Sequence, residues 1–229
     1  MRRPYYPNHR IRILLNQRST ITAVIPAYNE AARIAAVIRE TLPHVTDVLV
    51  VDDSSTDETR AIAEDAGAQV VSNQFEKGYI GGLKTGFREA SGDIVVTLDA
   101  DGEHDSSEIP QLVAPILNDD ADLVLGRRAE IARPSERAIN WLTNLRVRVQ
   151  DSGTGYRALR TDLARQLELH GRCTCGTFVL EAVHRGGRLG EVPITLRATQ
   201  KPRKWAWEHV AQSFFVLRVI TFGFPHVHP

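Results

Sequence analysis

Two carboxylates one residue apart, Asp99 and Asp101, end the run Val95-Val96-Thr97-Leu98-Asp99-Ala100-Asp101-Gly102-Glu103-His104. The apolar stretch Ile94 to Leu98 reads as a buried strand, and the carboxyl end of such a strand is where open α/β sheets place their ligands. Side chains leaving that end on an Asp-x-Asp step can reach one hard cation, with Glu103 a step further along the loop. Their oxygens suit Mg²⁺ or Mn²⁺, ions that keep several waters and take their remaining ligands from substrate phosphates. An Asp-x-Asp alone is equally a solvated acidic turn, so its meaning rests on its surroundings.

The elements that must position these groups follow from the hydrophobic pattern. From Ile21 onward strand and helix alternate at short period, which predicts an α/β fold with a mostly parallel central sheet and helices on both faces. Strands are expected at 21–25, 47–51, 68–72, 94–98 and 122–126. The first helix carries Ile34, Val37, Ile38 and Leu42 on one face. Ser55 and Glu58 read as a capping box for the second, which Gly67 stops. The third, over 78–90, turns Leu83 and Phe87 inward, and Asp105 with Glu108 reads as a second capping box before Ile109, Leu112, Val113 and Ile116. Past residue 126 the pattern loosens to helices at 135–149 and 175–185 and strands at 156–160 and 189–196.

These elements predict one domain over 21–204, preceded by a basic arm over 1–20 and followed by an amphipathic segment over 205–229. In that last segment Trp207, Val210, Phe214 and Leu217 recur at helical spacing, widened by Phe215, Val216, Val219 and Ile220. The stripe packs on the core or, with the flanking Lys201, Arg203 and Lys204, lies at a membrane boundary. No run approaches a bilayer span and no signal-peptide pattern opens the chain, which predicts a cytoplasmic protein, peripheral on the cytoplasmic face of a membrane. A chain of 229 residues can bury a sizeable core without staples. Cys173 and Cys175 form a Cys-x-Cys without the second pair of a zinc site and read as thiols in a reducing compartment. His170 and His184 are the nearest histidines to them, at a spacing that matches no site.

The formal net charge of zero conceals a division: residues 21–126 hold 6 Lys or Arg against 20 Asp or Glu, and residues 127–229 hold 17 against 8. The acidic half suits a metal and the donors of a nucleotide; the basic half suits a phosphorylated or membrane-borne partner rather than nucleic acid. After the first strand a dinucleotide dehydrogenase needs a Gly-rich turn, and this chain has Pro26-Ala27-Tyr28-Asn29-Glu30. The same absence disfavours nucleotidylyltransferases, and no Gly-x-x-x-x-Gly-Lys supports a Walker-type hydrolase.

The blocks Ile25-Pro26-Ala27-Tyr28-Asn29-Glu30, Val50-Val51-Asp52-Asp53-Ser54-Ser55-Thr56-Asp57, Lys77-Gly78-Tyr79-Ile80-Gly81-Gly82-Leu83-Lys84-Thr85-Gly86-Phe87 and the acidic loop occur in that order. Together they closely resemble the inverting nucleotide-sugar glycosyltransferases, and within them the dolichyl-phosphate (polyprenyl-phosphate) mannose and glucose synthases. The resemblance continues through Leu125-Gly126-Arg127-Arg128, Asp151-Ser152-Gly153-Thr154-Gly155-Tyr156-Arg157-Ala158 and Gly190-Glu191-Val192-Pro193-Ile194, spanning about residues 21–204.

The resemblance implies a single Rossmann-like nucleotide-diphospho-sugar transferase domain, with a nucleotide-sugar and metal half over 21–126 and an acceptor half over 127–204. Its donor, GDP-mannose or UDP-glucose, would meet Pro26 and Tyr28 as an apolar wall, with Glu30, Val51, Asp52 and Asp53 at base and ribose and Ala100 near the ribose. Asp99, Asp101 and Glu103 would hold the Mg²⁺ or Mn²⁺ that bridges the diphosphate, although many relatives carry Gln at the Glu103 position. Arg128, Arg137, Arg203 and Lys204 would hold the phosphate of a polyprenyl or dolichyl phosphate, since a guanidinium pairs with phosphate bidentately. Asp99, Asp101 and Arg128 would be the catalytic set. Relatives usually show Gly-Ser-Arg where this chain has Gly126-Arg127-Arg128. Such an acceptor leaves room for a membrane-protein partner or a homo-oligomer.

Two other readings compete. Transfer to a glycan or soluble hydroxyl needs a carboxylate base, for which Asp151 and Glu181 are the first candidates; Asp151 otherwise anchors a loop. A non-catalytic nucleotide-sugar-binding scaffold would show damaged carboxylates, and Asp53, Asp99 and Asp101 are all present.

Overall fold

The computed structural model describes residues 19–131, 133–171, 173–197 and 207–224. Most of the basic arm, together with Lys201, Arg203 and Lys204, lies outside the described residues. Seven strands form one sheet: β1 (Ile21–Ala27), β2 (Asp47–Asp52), β3 (Gln69–Ser72), β4 (Ile94–Thr97), β5 (Leu123–Arg128), β6 (Arg157–Arg160) and β7 (Leu189–Ile194). Their order is β3-β2-β1-β4-β6-β5-β7. β6 runs antiparallel to both neighbours, and every other pairing is parallel.

Between them lie α1 (Ile34–Thr41), α2 (Thr59–Asp65), α3 (Tyr79–Glu89), α4 (Ile109–Leu117), α5 (Pro134–Thr143), α6 (Thr161–Gln166), α7 (Thr177–His184) and α8 (Trp207–Phe222). The alternating faces of the strands feed two cores, as a sheet covered on both sides requires. Ile25, Val50 and Val96 pack with Ile34, Ile38 and Leu112 on one face; Val24, Leu49 and Val95 pack with Leu83, Phe87 and Phe178 on the other. The chain leaves β1 toward β2 on one side and returns through β4 on the other. That reversal opens a crevice at the carboxyl ends of the strands, where the Asp-x-Asp loop begins.

Several local expectations are corrected. Ser55 does not cap α2: its hydroxyl accepts from the Asn29 amide at 3.1 Å, and Asp57 accepts from the Thr59 amide at 3.0 Å instead. Asp105 does accept from the Ser107 amide at 3.0 Å, but Glu108 reaches across to the Thr195 amide at 3.0 Å rather than back to its own helix. The helix expected over 135–149 ends at Thr143, because the Asn144 side chain accepts from the Val149 amide and donates to its carbonyl, closing a turn. The short helix α6 had no counterpart in the sequence pattern.

Helix α8 packs chiefly on α5, with Val216 and Val219 buried beside Ile139 and Leu180. Phe214, Leu217 and Phe222 are exposed on its other side. The stripe traced through Phe214 and Leu217 therefore faces outward; the side chains of Trp207 and Val210 lie outside the described residues. Among the described residues no helix is long and apolar enough to cross a membrane.

Glycines set how closely α3 lies on β1. A Cβ at Gly82 would stand 2.9 Å from the Pro26 side chain, and one at Gly86 only 2.2 Å from a methyl of Val24. Gly86→Ala is expected to cost about 1–2 kcal/mol, overpacking outweighing the better helix propensity of alanine. It should lower the urea midpoint at constant slope; an unchanged midpoint would mean that α3 has room to stand off from β1.

Candidate active site

The loops after β1 and β2 are stitched together by their own polar residues. Asn29, at φ 53°, accepts from the Thr56 amide at 2.8 Å, and the Glu30 amide donates to Thr59 at 2.8 Å. A short Asn side chain tolerates this left-handed backbone and still reaches a neighbouring loop. Tyr28 is left projecting at the crevice edge, more than half exposed. Glu30 is nearly buried and holds Arg33 in an ion pair at 2.6 Å. Asp52, also buried, accepts from the Ser55 amide at 3.1 Å. Asp53 bridges outward to the next loop, accepting from Asn73 at 2.7 Å and from the Gly78 amide at 2.8 Å. The expected nucleoside residues thus share one end of the crevice, with Val51 buried beneath them and Pro26 against Gly82.

The acidic loop is braced from below. His104 is buried and stacks on Tyr156 with ring centroids 4.8 Å apart. Its Nδ1 accepts from the Asp99 amide at 3.2 Å, and its Nε2 lies 3.9 Å from the Asp99 carboxylate. Asp101 accepts from the Glu103 amide at 3.1 Å, closing the turn that Gly102 completes at φ 79°. Asp99, Asp101 and Glu103 are all partly exposed, and Ala100 is buried between them. Their oxygens do not converge as a group within 4.8 Å; among the described residues only Cys173, Cys175 and His209 do so. Asp99 and Asp101 nevertheless fit a hard cation that takes most of its shell from diphosphate and water.

Beside Asp99 opens a cavity of about 570 Å³, walled by the start of α3, by Gly153 and Gly155, by Arg157, and by Cys173 to Cys175. Tyr79, buried there, has its hydroxyl pushed above the usual tyrosine range by burial and then by the Asp99 charge. Arg157 is 1 % exposed, donates to Thr174 at 2.9 Å and lies 4.3 Å over the Phe178 ring. Its Nε and Nη1 have no partner among the described residues. A buried guanidinium with idle donors is costly unless an anion meets it. Arg157 stands in the block Asp151-Ser152-Gly153-Thr154-Gly155-Tyr156-Arg157-Ala158 but not among the expected site residues. Its only local signal is a cation opening a stretch that otherwise reads as a buried strand.

Gly155 touches Asp99 so closely that a Cβ there would lie 2.9 Å from a carboxylate oxygen. Gly155→Ala is expected to turn that carboxylate aside and to weaken Mn²⁺-dependent donor binding about tenfold, roughly 1.4 kcal/mol. Titration calorimetry with a nucleoside diphosphate reads it; affinity equal to the parent would show that Asp99 does not need this position.

Of the expected acceptor residues, Arg128 and Arg137 lie among those described, and both are engaged with other groups of the chain. Arg128 donates from Nε and Nη2 to Asp151 at 2.7 and 2.8 Å, and from Nη2 to Glu136 at 3.0 Å. Two carboxylates thus neutralise the guanidinium that was expected to hold a phosphate and to act in catalysis. Arg137 is exposed and donates to the Ile131 carbonyl at 2.8 Å. Neither proposed base reaches the cavity: Asp151 is fully buried against Arg128, and Glu181, 1 % exposed, accepts from the Glu168 and Leu169 amides.

The sequence model of glycosyl transferase family 2 matches residues 22–185. The undecaprenyl-phosphate mannosyltransferase of Micrococcus luteus is 33% identical, with 76% of this chain and 82% of that protein covered. The UDP-N-acetylglucosamine–dolichyl-phosphate N-acetylglucosaminyltransferase of Methanococcus voltae is 30% identical over 76% of this chain and 84% of its own length. Among solved structures, glucosyl-3-phosphoglycerate synthase from Mycobacterium tuberculosis in complex with Mn²⁺, UDP-glucose and phosphoglyceric acid superimposes with a TM-score of 0.76 at 26% identity, covering 98% of this chain and 87% of that one.

Proposed function

We propose, starting from the fact that this chain belongs to glycosyl transferase family 2, that it moves a hexose, mannose or glucose, from a nucleotide sugar to a polyprenyl phosphate with inversion. The observation that carries this reading is that Asp99 and Arg157 wall the same cavity of about 570 Å³, one suited to a cation and the other to an anion. Tyr28 would stack on the base while Asp53 and its loop hold the ribose end. When bound, Mg²⁺ or Mn²⁺ at Asp99 and Asp101 neutralises the departing diphosphate. Arg157 orients an anionic oxygen, and a lipid phosphate, ionised at neutral pH, attacks without a strong base. Arg128 then acts as a positioning residue that fixes the Asp151 loop on the cavity wall. The two relatives named for polyprenyl-type phosphates support the acceptor.

The test is incubation of the purified chain with labelled GDP-mannose or UDP-glucose, Mg²⁺ or Mn²⁺, and undecaprenyl or dolichyl phosphate. Label in the lipid phase supports the reading; label passing only to an oligosaccharide would overturn it. One observation favours a second reading, the close superposition with a synthase bound to phosphoglyceric acid. In that case the same assay labels a water-soluble phosphorylated acid instead.

A lipid acceptor also needs a membrane face. Trp141 and Leu145 on and after α5 and Phe214, Leu217 and Phe222 on α8 are exposed, with Arg146, Arg148 and Arg218 exposed nearby in the chain. Apolar groups flanked by cations suit an anionic headgroup boundary. Replacing Phe214, Leu217 and Phe222 with Ser is expected to reduce sedimentation with anionic liposomes at least tenfold. Equal sedimentation would place the contact elsewhere.

A further inference from the structure

The loop that walls the cavity carries a second group of ligand-type side chains, of a different chemistry from the acidic loop. Cys173 Sγ, Cys175 Sγ and a ring nitrogen of His209 all lie within 4.8 Å of one another. The cysteines come from the loop before α7 and the histidine from the first turns of α8, 34 residues beyond Cys175. The histidines nearest in sequence contribute nothing: His170 pairs with Glu168 at 2.8 Å, and His184 packs on Phe224.

The arrangement has the features of a prepared metal site. Cys175 and His209 are both nearly buried, and Cys173 is half-buried. His209 Nδ1 is held by the Ser135 hydroxyl at 2.8 Å, which leaves Nε2 to face Cys175. Ligating imidazoles are usually oriented in this way by a hydrogen bond on the other nitrogen. The backbone is braced independently: Gln212, fully buried one turn along α8, donates to the Cys175 carbonyl at 3.1 Å and to Thr177 at 3.0 Å.

We propose that Cys173, Cys175 and His209 bind a zinc(II) ion that clips α8 to the cavity wall. Thiolate and imidazole select zinc over the hard cations that suit Asp99 and Asp101. Tetrahedral Zn–S and Zn–N bonds put the ligand atoms roughly 3.5–3.8 Å apart, so atoms within 4.8 Å of one another need to close by about 1.3 Å at most. Binding releases the thiol protons to solvent and leaves a fourth position for water. Because the two cysteines line the cavity and α8 carries the exposed apolar face, the ion ties the helix bearing that face to the cavity wall.

Cobalt(II) titration of the reduced full-length chain tests this directly, because only a thiolate site gives sulfur-to-cobalt charge-transfer absorption. The expected result is saturation at one equivalent, displacement by Zn²⁺, loss of the band in Cys173→Ser/Cys175→Ser, and an affinity at least tenfold weaker in His209→Ala. In the unsubstituted chain, Zn²⁺ should protect both thiols from iodoacetamide until a chelator is added. A folded chain without the cobalt band, whose thiols alkylate equally fast with and without Zn²⁺, would overturn the proposal. All-oxygen binding at the acidic loop gives neither signal, so the result stands apart from the assignment of the donor and acceptor.

Discussion

Asp101→Ala is expected to lower transfer from the nucleotide sugar by about three orders of magnitude, roughly 4 kcal/mol at the transition state. The chain should still fold. Asp101 is partly exposed in the loop after β4, and its Oδ1 accepts from the Glu103 amide at 3.1 Å; losing that bond costs about 1 kcal/mol. The larger effect is electrostatic, because a departing diphosphate needs a cation where its charge develops. Asp101→Asn separates the two contributions: its carbonyl oxygen still closes the turn, but the negative charge that attracts the cation is gone. Both variants should lose turnover alike in steady-state assays with saturating Mn²⁺, while the thermal midpoint of Asp101→Asn stays near that of the parent. Full activity in Asp101→Asn would show that the residue shapes the loop and does not hold a cation.

The largest effect on stability is expected at Asp151. Its carboxylate receives Arg128 at 2.7 and 2.8 Å and also the amides of Arg128 and Gly153, and it has no exposure at all. Asp151→Ala leaves the Arg128 guanidinium buried against Glu136 alone, with two amides unsatisfied. Breaking a buried pair from one side typically costs about 3–5 kcal/mol, readable as a large fall in the urea midpoint. The double variant Arg128→Met/Asp151→Leu should recover part of that loss, because it removes the orphaned charge while the two amides stay unsatisfied. It also decides the role of Arg128. An acceptor KM close to the parent's in the double variant is expected of a positioning residue, whereas a rise of tenfold or more would return Arg128 to the acceptor phosphate.

Much of this molecule was legible from local pattern. Apolar runs such as Ile94 to Leu98 admit one environment, the middle of a covered sheet, and the helices between them declare their inner faces by residues three and four apart. The acidic loop is equally local: Asp99, Asp101 and Glu103 are neighbours in the chain, so the strand that ends before them carries them together. The capping boxes failed in part, because Ser55 and Glu108 each had a partner on a different loop, and the fold chose that partner.

The opposite wall of the site depended on pairing between distant segments. Antiparallel β6, inserted between β4 and β5, sets Arg157 beside Thr97, and no property of residue 157 alone announces that neighbour. The resemblance made Arg128 a phosphate ligand by its place in the block Leu125-Gly126-Arg127-Arg128; in space its neighbours are Asp151, 23 positions on, and Glu136. Helix α8 carries apolar residues on more than one side, so periodicity could not say that Val216 and Val219 turn inward while Phe214 and Leu217 turn out. Cys173 and Cys175 looked isolated for the same reason, until the packing of α8 brought His209 to them. The strands, the covered sheet and the carboxylates at its switch point follow from short-range periodicity and covalent adjacency. Which charges neutralise one another and which remain to meet a ligand is set by the packing of distant segments, since a charge takes its free energy from whatever lies within a few ångströms in space, wherever that lies in the chain.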